Sequence, residues 1–83
     1  MTVRGYVLIE AEVGKAKSVG EAVQALSHPD ASVLSVDTVT GPYDVIVQLH
    51  AEDLDRLGNC ITDGIQRVEG VQRTTTCLAV KLG

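Results

Sequence analysis

The stretch Ser32-Val33-Leu34-Ser35-Val36-Asp37-Thr38-Val39-Thr40-Gly41-Pro42-Tyr43-Asp44-Val45-Ile46-Val47-Gln48-Leu49 decides the fold, because it reads as two strands joined by a tight corner. Ser32 to Thr40 alternates and is rich in β-branched residues, and Tyr43 to His50 does the same after the corner. Gly41 accepts backbone angles denied to other residues and Pro42 fixes its own φ, so the pair makes a sharp, stiff reversal. The corner delivers Tyr43 and Asp44 at the mouth of the second strand. A carboxylate and a phenol beside an open turn suit a small zwitterion, with an ammonium facing Asp44 and a ligand carboxylate approaching bare amides at Gly41. The plainer reading of the same residues is a hairpin corner whose Asp begins a strand.

Upstream, Val3, Gly5, Val7, Ile9 and Ala11 fall on one side of a strand and Arg4, Tyr6, Leu8, Glu10 and Glu12 on the other. Gly14 breaks it. Ala16, Val19, Ala22, Val23 and Leu26 then recur at helical spacing, and Ser27-His28-Pro29-Asp30 stops that helix. Downstream of the corner, Glu52 and Asp53 open a second helix with the stripe Leu54, Leu57, Ile61, Ile65 and Val68. Gly70 ends it, and Val71 to Leu82 makes a last strand around Thr74-Thr75-Thr76. Gly20, Gly58 and Gly64 inside the helices are read as sites of close packing.

The order is therefore β-α-β-β-α-β. Right-handed crossovers place the strands in the order 4-1-3-2 of a four-stranded antiparallel sheet, with both helices on one face. The other face keeps apolar residues, either Tyr6, Leu8, Leu34 and Val36 or their alternates, since pattern alone does not fix the facing of each strand; either way two helices cannot cover them all, and a second subunit is the economical cover.

The chain of 83 residues is expected to be one domain over 1–83, with a thin core of Val, Leu, Ile and Ala, since Phe and Trp are absent. A chain this short buries only about 60–65% of its extended surface, so it gains from a partner. Eleven acids against seven Lys and Arg, with no basic stripe, argue against direct nucleic-acid or anionic-membrane binding. No run is long enough to span a bilayer or to act as a leader, and a cytoplasmic location is expected. Cys60 and Cys77 lie far apart without a C-x-x-C spacing and away from His28 and His50, so packing thiols are expected and neither a metal nor another cofactor. Nucleotide-binding glycine fingerprints are missing. Catalysis has little support: neither His is paired with a nucleophile by spacing, and Asp37 and Asp44, which flank the hairpin and could form a carboxylate pair, read more readily as solvated edge charges.

The Gly41-Pro42-Tyr43-Asp44 turn with Val45-Ile46-Val47, the helix stripe, and the close Gly70-Val71-x-x-Thr74-x-Thr76 together resemble the ligand-binding domain of the Lrp/AsnC family, also called the regulation of amino acid metabolism domain. The resemblance runs from about Tyr6 to Leu82. It implies a ferredoxin-like α+β fold, dimers formed through the sheets, and in many members an octameric ring. It also implies small effectors, commonly amino acids, held between subunits near the turn before the third strand. Gly41, Tyr43 and Asp44 then take the gripping roles, Thr40 and Pro42 shape the loop, and Thr74 and Thr76 contribute from the last strand. Family members usually carry a helix-turn-helix domain ahead of this module. Here the first strand follows Met1 at once, so a stand-alone, non-enzymatic effector-binding module is the expectation. Two alternatives remain open: an interaction module that co-assembles with full-length Lrp/AsnC regulators, and a small cofactor-free dimeric enzyme.

Overall fold

A computed structural model describes residues 2–80 of the chain. Strands β1 (Val3–Ala11), β2 (Ala31–Thr38), β3 (Val45–Ala51) and β4 (Val71–Leu78) form one antiparallel sheet in the order β2-β3-β1-β4. Helix α1 (Ala16–Gln24) links β1 to β2, and α2 (Leu54–Asp63), followed by a 3-10 turn over Ile65–Arg67, links β3 to β4. The two β-α-β units interleave to give this order, as the crossover rule requires. The arrangement is the ferredoxin-like α+β fold.

The core lies between the helices and one face of the sheet. Val7 and Ile9 of β1 and Val45, Val47 and Leu49 of β3 are fully buried against Val19 and Val23 of α1 and Leu57 and Cys60 of α2. Each such aliphatic side chain contributes about 1.5–3 kcal/mol relative to exposure. Burial also pushes the Cys60 thiol above its ordinary pKa, with the charge of Asp30 adding to the effect. The thiol is thereby held protonated as a packing group.

Pleating sends the alternate residues to the opposite face, which no element of the chain covers among the described residues. The β1–β3 register sets Arg4 beside His50, Tyr6 beside Gln48, and Leu8 beside Ile46 on this open face. Across β1 on the other side, Cys77 stands by Tyr6 and Arg73 by Glu10. Ser35 Oγ donates to Gln48 Oε1, and Gln48 Nε2 donates to Tyr6 Oη, both at 3.4 Å. This relay ties three strands together through their side chains.

Local structure departs from the sequence pattern in definite places. Strict alternation puts Leu34 and Val36 on one face, but Leu34 and Ser35 together oppose Gln48 in a bulge. The slip returns Val36 to the helix side, opposite the buried Val47, while Leu34 stays 48% exposed. The second helix ends at Asp63 rather than running to Val68. Gly64 caps it by donating to Cys60 O at 2.9 Å, and the apolar stripe continues through the 3-10 turn, where Ile65 is buried. Leu54, assigned to the stripe, is 55% exposed. Asp53 is the N-cap: its Oδ1 accepts from Arg56 N at 2.8 Å. The last strand ends at Leu78; Lys81 and Leu82 lie outside the described residues.

Gly70 has φ +96°, and a Cβ there would sit 2.9 Å from Lys15 Cβ and 3.0 Å from Val19 Cγ2. Its carbonyl accepts from Glu12 N at 2.8 Å. Only glycine lets the entry to β4 pass this close beneath α1.

Candidate functional site

The hairpin corner is built around Asp44. Its carbonyl accepts from Val39 N at 2.9 Å, closing the loop Thr40–Tyr43, and its own N–H donates to Ile9 O at 2.8 Å. Its Oδ2 accepts a third hydrogen bond, from Ala11 N at 2.8 Å. That amide needs a partner because it points to the β3 side of β1 beyond the last β1–β3 pair, Ile9 with Val45. Asp44 therefore locks the corner onto the end of β1. No buried side-chain oxygen among the described residues lacks a partner, and Oδ1 forms no hydrogen bond within them, so Oδ1 is not fully buried. One carboxylate oxygen builds the corner, and the other is free to meet a cation.

Gly41 takes φ +138°, a conformation that side chains rarely adopt, and nothing lies within 4 Å of where its Cβ would stand. Thr40, Gly41 and Pro42 are exposed, whereas Tyr43 and Asp44 are half-buried. Backbone amides at this end are thus approachable from outside, and the single chain leaves the corner open. Enclosure of a ligand here requires a second surface.

The structure brings Thr40, Gly41, Pro42, Tyr43 and Asp44 together, but not the two threonines. Thr74 lies at the same end of the sheet, opposite Ile9 on β4, so β1 stands between it and the corner. Its hydroxyl accepts from Gln66 Nε2 at 2.9 Å. Thr76 is farther along, opposite Val7. Both belong to the rows of the sheet that face the helices.

Sequence reasoning missed Glu10 and Arg73, which pair at 4.0 Å on the open face close to the corner. The alternation of β1 places Glu10 with Tyr6 and Leu8. Finding Arg73 beside it needs the β1–β4 register, which no local pattern encodes.

The acids flanking the hairpin do not form a pair. Asp44 turns toward β1, while Asp37 sits on β2 opposite Ile46, on the far side of β3. His28 Nδ1 is engaged by Asp30 N at 3.1 Å. Among the described residues, no group of three or more His, Cys, Asp or Glu is placed to hold a metal, and no helix is long and apolar enough to cross a membrane.

Comparisons with known proteins agree with this architecture. The solved structure of TTHA0845 from Thermus thermophilus superposes with a TM-score of 0.83 at 36% identity, over 98% of this chain and 96% of that one. The transcriptional regulator NMB0573 from Neisseria meningitidis, solved as a complex with L-Met, shares the fold with a TM-score of 0.76 at 20% identity, over 95% of this chain and 50% of that one. A curated relative, an uncharacterized HTH-type transcriptional regulator, PYRAB01370 of Pyrococcus abyssi, is 30% identical over 73 residues. Those residues are 88% of this chain but 44% of the relative, so the chain spans under half the length of that regulator. The family model described as Lrp/AsnC ligand binding domain matches residues 4–82. The chain belongs to the Lrp/AsnC ligand-binding domain family.

Proposed function

We propose that this chain is an oligomeric effector-binding module of transcriptional or metabolic regulation, and that it grips an amino acid or related small metabolite at a subunit interface beside the Thr40–Asp44 corner. The observation that carries this reading is the divided carboxylate of Asp44: Oδ2 is fixed by Ala11 N, while Oδ1 forms no hydrogen bond among the described residues, in a corner whose Gly41 has open space where a side chain would stand. An ammonium meets Oδ1, and a ligand carboxylate meets amides of the turn. Tyr43 walls the site, and Thr40 and Pro42 set the loop. Thr74 and Thr76 stand farther off, so their part in binding is the weaker one. The L-Met complex of the Neisseria regulator supports an amino acid as the ligand class. A ligand bridging two subunits favours the assembled state by its differential affinity for it. The chain acts in this reading as a binder and not as a catalyst.

The test uses Asp44→Asn, which keeps an oxygen to accept from Ala11 N but removes the negative charge. A thermal-shift screen of the amino acids selects a ligand, and calorimetry then compares variant and parent. The expected result is at least about a tenfold loss of affinity, as for a lost charge-assisted hydrogen bond, with an unchanged melting temperature. Equal affinity removes Asp44 from the site.

The open sheet face supports a second reading, in which the chain co-assembles with longer family members. Native mass measurement of the chain mixed with such a regulator decides it: mixed oligomers favour it, and two unmixed homomers oppose it.

A further inference from the structure

The end of the open face where β1 begins carries hydrogen-bond donors that nothing on the chain answers. Arg4 on β1 and His50 on β3 are direct cross-strand partners, which sets their β carbons about 4.5–5.5 Å apart. Arg4 offers five N–H donors and no acceptor, and the imidazole offers a ring N–H in either protonation state. Among the described residues neither side chain has a hydrogen bond or an ion pair: Glu52, just past His50, is taken by Arg56, and Asp30 by Asn59. At the other end of the face the cation Arg73 already has its acid, Glu10. Of the two arginines on this face, Arg4 is the one left without a partner among the described residues.

Both donors line a concavity of about 670 Å³ that crosses the whole sheet, from Leu34 of β2 past His50 and Arg4 to Ala79 and Val80 just beyond β4. Its two ends are apolar. Leu34 is 48% and Val80 74% exposed, and both are large side chains that a solvated strand end does not call for. Ala79 N donates to Arg4 O at 2.9 Å, which holds the Val80 wall against β1. No acid lines the concavity. Apolar walls around a few convergent polar groups are the makeup of a small-molecule site.

We propose that this concavity binds a small aliphatic carboxylate, at a site separate from the Thr40–Asp44 corner. The carboxylate meets the planar fork of Arg4 at two points and the ring N–H of His50 at a third, as charge-assisted hydrogen bonds. The hydrocarbon tail lies against Leu34 or Val80, and each methylene it buries tightens binding about fourfold. Glu10, at the corner's end of the face, is six residues farther along β1, about 20 Å at the rise of a strand. With no acid in its lining, the concavity has nothing to receive an ammonium, so it selects an acid without an α-amino group. The corner, with Asp44, selects a zwitterion. The proposed site is built by one chain and needs no residue from a second copy.

Titration of the full chain with isocaproate, followed by amide chemical shifts, tests this. Saturable shifts are expected at Arg4, His50 and Ala79, with an affinity at least about tenfold above that of acetate, as the burial of two or more methylenes requires. Leucine, the same acid with an α-amino group, should bind at these residues at least about tenfold more weakly, and the amide of isocaproate should not saturate them. Arg4→Gln should lower the affinity for isocaproate at least about tenfold, Val80→Asn should narrow the gap between isocaproate and acetate, and Asp44→Asn should change neither by more than about twofold. Circular dichroism of each variant checks that the fold is kept. Parent-like affinity in Arg4→Gln overturns the assignment, as does equal affinity for the acid and its amide. So does inorganic phosphate binding as tightly as isocaproate, which marks a bare anion site. Shifts confined to Gly41 and Asp44 overturn it too, and leave the reading of the corner standing.

Discussion

Asp44 carries two separable duties, one per carboxylate oxygen, and substitutions at this residue divide them. Asp44→Ala removes the acceptor of Ala11 N and leaves a part-buried amide unpaired, so it should destabilise the fold by about 1–3 kcal/mol in urea titrations. Asp44→Asn, which retains an acceptor, should lie near the parent. Loss of ligand binding in Asp44→Ala alone therefore does not separate ligand gripping from collapse of the corner. Turn chemistry made Tyr43 and Asp44 legible in the sequence. The bond to Ala11 was not, because that amide is left over where the β1–β3 ladder ends at Ile9 and Val45, and the pairing of two strands so far apart in sequence leaves no mark on the residues themselves.

At the scale of elements, the interior glycines separate by what they touch. A Cβ on Gly20 would meet Thr38 Oγ1 at 3.0 Å, and one on Gly64 would meet Cys60 O at 2.7 Å, so close packing accounts for both. Gly58 has nothing within 4 Å and lies exposed in α2. Gly58→Ala should therefore raise stability by about 0.5–1 kcal/mol through helix propensity, whereas Gly20→Ala should lower it; thermal melts of the two variants check this. Absence of the gain at Gly58 in an assembled sample locates a subunit contact on that helix. Element types and their order were legible from periodicity, since periods of two and of three to four alternate along the chain with glycine or proline breaks. The bulge at Leu34 and the early end of α2 were not. Both keep an apolar residue, Val36 or Ile65, on the core side while the backbone geometry changes, so the pattern of residue types looks uninterrupted.

For the whole molecule, the sheet order followed from connectivity and handedness alone, and the excess of apolar side chains over helix surface pointed to a partner. The registers that set Arg4 beside His50 and Glu10 beside Arg73 on the open face were hidden, because they depend on pairing between strands far apart in sequence. Cys77 gives a direct probe of the covering. It is exposed on the open face opposite Tyr6, whereas Cys60 is buried. Alkylation of Cys77 should slow by about tenfold or more as protein concentration rises through the dimerisation range, while Cys60 stays unmodified throughout. A rate independent of concentration places Cys77 outside any seam.

The aromatic inventory gives the chain a built-in spectroscopy. Tryptophan and phenylalanine are absent and the only tyrosines are Tyr6 and Tyr43, one at the centre of the uncovered sheet and one at the hairpin tip. Ultraviolet emission from the unlabelled protein thus comes from two rings alone, and single Phe replacements assign each signal to its ring. If the proposed function holds, subunit closure and metabolite capture can then be timed independently in one cuvette.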